Sequence, residues 1–217
     1  MQKEQRHPTR KVDGSRDTYH HGDLKRALTR AALALVAEKG PKGFSLSEAA
    51  RRAGVSTAAP YRHFADKAQL VAAVAEQGFL QLHEALVAAG DSASDPNTRV
   101  IEIGRAYVRW AVTHPDYYQV MFGAETIKPE HPGLQIAGAQ AFDDLLRAIT
   151  SCLESGTVQR QDPRAIAGPM WSLVHGVASL AIGGELHQVG IREDAESLAA
   201  RALAELFEIA EPGDSTV

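Results

Sequence analysis

The residues best suited to chemistry lie between Ser45 and Lys67, and they suit the holding of a polyanion better than the making or breaking of bonds. Arg62 carries a planar fork of donors that matches guanine O6 and N7. Ser56 and Thr57 carry hydroxyls that can satisfy orphan amides where a helix begins. A helix start also turns its positive dipole outward, where a phosphate can sit. The charge is distributed accordingly. Residues 1–67 hold 14 Lys+Arg against 7 Asp+Glu, a balance of +7. The remaining residues carry −11, and the whole chain −4. A basic N-terminal third on an acidic body is an electrostatic footprint for nucleic acid.

Groupings that would support catalysis are missing from the sequence. The single cysteine, Cys152, excludes an internal disulfide framework and a multi-cysteine zinc site. No HExxH motif and no phosphate-cradling Gly loop occurs. Asp143-Asp144 and Glu193-Asp194 are adjacent pairs, so they project from different helix faces and read as solvated. His20 and His21 have no acidic or cysteine partner at ligand spacing and also read as solvated. The expectation is therefore a protein that is no enzyme, with no metal site and no cofactor.

The elements that position these residues read as helices. Leu28, Ala31, Ala32 and Leu35 form one apolar stripe, with Asp23 placed to cap its helix and Gly40-Pro41 to stop it. Ser45 and Glu48 form a capping box for a second helix ending near Ala53. Gly54 can take the positive φ of a tight turn, and Val55 anchors that turn. A short third helix, capped by Ser56 or Thr57, ends near Phe64. Three short helices with a Gly turn between the second and third make a helix-turn-helix. Asp66 caps a long fourth helix reaching Ala89, and Gly90 to Asn97 reads as a loop. Val100 to Trp110 marks a fifth helix, Asp116 to Phe122 a sixth, and Phe142 to Leu153 a seventh. Asp162-Pro163 opens an eighth helix reaching about His187, which Pro169 should kink or delay. Arg192 to Ala210 is the ninth.

The run SLSEAARRAGVSTAAPYRHFADK, Ser45 to Lys67, resembles the tetracycline-repressor family of bacterial regulators. Ser45, Gly54-Val55-Ser56, Tyr61-Arg62-His63-Phe64 and Lys67 carry the likeness. A second patch, Trp171 to Gly176, resembles the Trp-His-Gly signature of one C-terminal subfamily. The resemblance implies an all-α fold, with a three-helix DNA-binding unit joined by helix 4 to a helical ligand-binding and dimerisation body. The expected divisions are an arm at 1–17 that reads as disordered, a DNA-binding domain at 18–67 (motif 45–64), a body at 68–210 and a loose tail at 211–217.

The resemblance also distributes roles. It implies that Thr57, Ala58, Ala59 and Arg62 face base edges, while Tyr61, His63 and Lys67 touch phosphates. Ser45 and Ser56 add contacts, and Tyr19, His20, His21 and Lys25 lie near enough to contribute. Pro60 stands where the family usually has Leu or Ile, which leaves more packing to Phe64 and Phe44. Ala49 stands where a bulkier aliphatic residue is usual.

The body has two expected functions. The eighth helix is apolar on more than one face, and such a helix must be buried on both sides. Gly176, Gly183 and Gly184 would let a second backbone approach, so helices eight and nine are expected to form a homodimer. Tyr107, Trp110, His114, Tyr118, Met121, Phe122, Phe142, Trp171 and His175 are the candidate lining of a pocket for a small apolar or amphipathic ligand. The expected partner is a near-palindromic double-stranded operator. No run approaches the roughly 20 apolar residues of a membrane helix, and the charged N-terminus is unlike a signal peptide. The expected location is therefore the cytoplasm. The sequence leaves two readings open: a ligand-responsive repressor, and an architectural protein or activator of the same fold with no small-molecule inducer.

Overall fold

The computed structural model describes residues 15–123, 131–156 and 162–209, and side chains within residues 24–206. The described residues are helical and contain no strand. The arm at 1–14 and the tail beyond Ile209 lie outside them. In chain order the elements are α1 (Ser15–Lys39), α2 (Leu46–Arg52), a 3-10 helix (Ala59–Arg62), α3 (Lys67–Ser92), α4 (Pro96–Thr113), α5 (Pro115–Phe122), α6 (Pro132–Glu154), α7 (Pro163–Gly183), α8 (Glu185–Gln188) and α9 (Ala195–Ile209).

The long helix α3 is the spine. It packs against α1 on one side and against α4, α5 and α6 in the body. Asp66 caps it as expected, accepting from Gln69 N–H at 2.9 Å. One apolar core runs unbroken from Leu28, Ala32 and Leu35 of α1, through Leu70 and Val74 of α3, to Val174 of α7 and Leu203 of α9. The DNA-binding end is thus welded to the body by buried side chains.

Several boundaries differ from the sequence reading. α1 begins at Ser15, well before the expected cap at Asp23. The expected loop at Gly90 to Asn97 shrinks, because α3 runs on to Ser92 and α4 starts at Pro96. Asp95 caps α4, accepting from Thr98 N–H at 2.9 Å, with Pro96 at the first position. This is the same Asp-Pro signal that opens α7 at Asp162-Pro163. α6 begins at Pro132, ahead of its apolar stripe.

α7 passes through Pro169, which lies on the exposed side, and ends at Gly184, whose φ of 80° makes it a left-handed cap. Gly183 and Gly184 therefore serve the α7–α8 turn; a Cβ at Gly183 would stand 2.0 Å from the Glu185 carboxylate. By length and composition alone α7 could cross a membrane, with mean hydropathy 1.4, against the expectation that no run does. Its Ala167, Met170, Val174 and Ala178 are nevertheless buried, and it packs on α4, α6 and α9.

Asp144 corrects another expectation. It is buried at 5% exposure between α6 and α3, where its carboxylate meets His83 and Arg147. Asp143 beside it is exposed, as expected. Glu193 and Asp194 are exposed too; Glu193 pairs with Arg201 at 2.8 Å, and Asp194 caps α9 through Ser197 N–H.

Candidate nucleic-acid interface and buried cavity

The capping box before α2 forms as the sequence requires. Ser45 Oγ accepts from Glu48 N–H at 3.2 Å, and Ser45 N–H donates to Glu48 Oε2 at 2.8 Å. Lys39 Nζ lies 2.8 Å from Glu48 Oε1. The Lys39 ammonium, then the Ser45 N–H and hydroxyl, hold the Glu48 carboxyl down at about 2. Ser45 Oγ also donates to Glu48 at 3.0 Å, so its proton is engaged in the cap.

Past α2, Ala49 and Ala50 are fully buried and let the turn close tightly. Gly54 adopts φ 72°, and Val55 N–H donates back to Ala50 O at 3.0 Å. The expected third α-helix is instead a single 3-10 turn. It is capped by Ala58, with no side-chain bond from Ser56 or Thr57. Proline explains the change. Pro60 lacks a donor and confines its neighbours, so the segment tightens around it. Pro60 O then accepts from both His63 N–H and Phe64 N–H at 2.9 Å. Pro60 is itself fully buried, so it supplies the apolar packing that its replacement of Leu or Ile was expected to lose.

This segment presents a continuous outward edge. Ser56, Thr57 and Ala58 are exposed, Ala59 is half-buried, Tyr61 is 59% exposed and Arg62 is exposed. His63 is half-buried, and its backbone closes the 3-10 turn. Lys67 also serves the local structure, since its Nζ donates to Lys42 O at 2.9 Å and sits 4.7 Å over the Phe44 ring. Lys25 is exposed on α1, whereas the side chains of Tyr19, His20 and His21 lie outside those described. Arg51 is an exposed cation at the end of α2 that the sequence reading passed over. Its signal was its place three residues before the Gly54 turn.

In the body, α3, α4, α5, α6, α7 and α9 enclose a cavity of about 680 Å³. This lies within the size range of small-molecule sites, roughly 300–1,000 Å³. Five expected residues line it: Tyr107, Met121, Phe122, Phe142 and Trp171. Tyr118 and His175 stand behind the wall. His175 Nδ1 is 3.0 Å from both the Tyr107 and the Tyr118 hydroxyl oxygens, and Tyr118 donates to His175 O at 3.1 Å. Burial pushes Tyr118 up to about 12 and His175 down, so this group is neutral near pH 7.

Trp110 and His114 are placed elsewhere. They stack on each other at 5.0 Å and border a separate hollow with Ala85, Ala89 and Arg109. On α4, Tyr107 and Trp110 are three residues apart, enough to turn them toward different neighbours. The remaining lining residues, such as Leu82, Leu86, Val100 and Ile103, were missed. Their apolar spacing on α3 and α4 is that of ordinary core residues.

A basic helix-turn-helix on a helical body that encloses an apolar chamber defines a DNA-binding transcriptional regulator. Residues 28–74 match bacterial regulatory proteins of the tetR family, and residues 100–206 match the tetracyclin repressor-like C-terminal domain. The chain belongs to the tetracycline-repressor family.

The chain is 35% identical over 85 residues to the HTH-type transcriptional regulator BetI of Rhizobium meliloti (strain 1021). That stretch covers 39% of this chain and 42% of the relative, so under half of the curated relative is matched. A solved protein of unknown function from Rhodococcus sp. RHA1 is 32% identical, with TM-score 0.78, covering 89% of this chain and 98% of that one. AibR, solved in complex with isovaleryl coenzyme A and operator DNA, shares the fold at 19% identity and TM-score 0.64, covering 85% and 98% of the two chains.

Proposed function

We propose that this protein is a ligand-responsive repressor acting as a homodimer on a near-palindromic operator in the cytoplasm. The observation that carries the reading is that α3 lines the cavity through Phe79, Leu82 and Leu86 while its first turn holds Lys67 against the loop before α2. One rigid element therefore touches both sites. At 26 residues it is about 39 Å long, so a small tilt at the cavity displaces the far end by several ångströms.

α5 adds a second link. It carries Met121 and Phe122 on the cavity and also packs against α1. At Gly78 of α3 a Cβ would come within 2.5 Å of Met121 Sδ, so α3 and α5 move together.

Thr57, Ala58, Ala59 and Arg62 read base edges in this proposal, with Arg62 the strongest reader. Tyr61, His63 and Lys67 hold phosphates, and Arg51 joins them. Dimerisation would use the outer face of α7 with α9. Leu180 is 45% exposed there, and a Cβ on Gly176 would meet nothing within 4 Å in its own chain. The Trp171 to Gly176 patch belongs to this helix and supports the Trp-His-Gly subfamily reading. Two recognition segments on a symmetric dimer must sit roughly 34–36 Å apart, or a multiple, to enter major grooves on one face of DNA.

The coupling must be reciprocal: a cavity ligand lowers operator affinity, and operator lowers ligand affinity by the same factor. The test is to select the operator from random DNA, then measure both affinities with and without the other partner. A cavity ligand that leaves operator affinity unchanged would sink the repressor mechanism and favour an architectural protein or activator without an inducer.

A further inference from the structure

We propose that the cavity takes the uncharged, apolar portion of a ligand about 10 Å long that presents one neutral hydrogen-bond acceptor, such as a carbonyl or ether oxygen, to the Tyr107 hydroxyl. This deepens the ligand-responsive reading and rests on it. Among the described residues, no Asp, Glu, Lys, Arg or His borders the space, although six helices contribute to its wall. A carboxylate or ammonium inside would lose its hydration with no opposite charge to replace it. Charged groups can remain at the mouth, where Gln135, Ala139 and Trp171 reach solvent.

The length follows from α4. Val100, Ile103, Gly104 and Tyr107 line the cavity in sequence, which is two helical turns, or about 10 Å. The Val100 end is closed by Leu86, Ile103 and Leu203 and is wholly apolar. The other end carries Tyr107 beside Phe122 and Trp171.

The hydrogen-bond count defines what Tyr107 offers. Tyr118 has one hydroxyl proton, which it donates to His175 O at 3.1 Å. The 3.0 Å contact between Tyr118 and His175 Nδ1 then needs the proton on Nδ1. That N–H also faces the Tyr107 oxygen at 3.0 Å, and the Trp171 indole hydrogen-bonds the same oxygen. Tyr107 is thus an acceptor toward His175 and Trp171, and its own proton is available to a guest in the cavity. Burial raises the Tyr107 hydroxyl and lowers His175, so the donor persists across the physiological range.

The experiment uses the full chain loaded with Nile red, an uncharged dye, and displaces it at pH 7.5 with n-octane, 2-octanone, octanoate and octylammonium. 2-Octanone should displace the dye at least about 100-fold better than octanoate or octylammonium. Tyr107→Phe should weaken 2-octanone about tenfold while leaving n-octane unchanged, and unchanged octane binding also reports an intact cavity. Octanoate or octylammonium binding as well as 2-octanone would overturn the assignment while leaving a ligand-binding repressor in place. An equal loss of octane and 2-octanone in Tyr107→Phe would overturn the role of the hydroxyl. If neither the dye nor any of the four enters, the ligand class and the ligand-responsive reading fall together. Entry with no effect on operator affinity would leave the ligand class standing and overturn the repressor mechanism alone.

Discussion

His83 Nδ1 on α3 lies 2.6 Å from Asp144 Oδ2 on α6, and this contact ties the spine of the molecule to a wall of its cavity. Each partner adjoins a lining residue, Leu82 and Leu145 respectively. Arg147 holds the other carboxylate oxygen, so the buried Asp144 is bound on both sides.

Asp144→Asn removes the buried charge and should destabilise the fold by about 1–2 kcal/mol. The figure is kept low because Arg147 is largely solvated. Urea unfolding would measure it. No change in the unfolding midpoint would show that the pair adds nothing to α3–α6 packing.

Gly54 needs its φ of 72°, and the space around it is open. Gly54→Ala should therefore cost about 1 kcal/mol from backbone strain alone, without a clash. Thermal unfolding would show a drop of a few degrees. A larger fall would mean that the turn meets something beyond conformational strain.

Arg62→Ala should relax sequence preference at one base pair by roughly 1–3 kcal/mol. Lys67→Ala should weaken every sequence alike, and should also lower stability, because Lys67 tethers Lys42 O and covers Phe44. Competition binding against single-base operator variants separates the two. Uniform losses for both variants would remove Arg62 from base readout.

Binding through this basic end should also weaken steeply with salt, as phosphate neutralisation releases counterions. A titration from low to moderate salt would measure the slope. A flat response would show that the positive balance of residues 1–67 contributes no phosphate contacts.

Burial lowers His175 below its ordinary value of 6.5. As pH falls through 6.5, the unfolded chain gains a proton at this position before the folded chain does. Stability should therefore fall on the acid side of 6.5 and be fully regained above it. His175→Gln should flatten that part of the stability–pH curve. An unchanged curve would show that His175 titrates alike in both states.

The sequence by itself determined the elements whose causes are local. The Ser45–Glu48 box, the left-handed turn at Gly54, the Asp66 cap and the Asp162-Pro163 start all formed as their residues required. Such features act within four residues, where the chain's own geometry brings the partners together. The tertiary structure decided what depends on packing between distant helices. It buried Pro60 in the core, took Asp144 out of solvent to meet His83, and sent Trp110 and His114 to a different hollow from Tyr107. It also left a cavity where the sequence of Leu82, Leu86, Val100 and Ile103 reads as ordinary core. Apolar periodicity fixes which face of a helix turns inward. Whether that face meets another side chain or an empty space depends on how six helices cross, and on residues as far apart as Phe79 and Leu203.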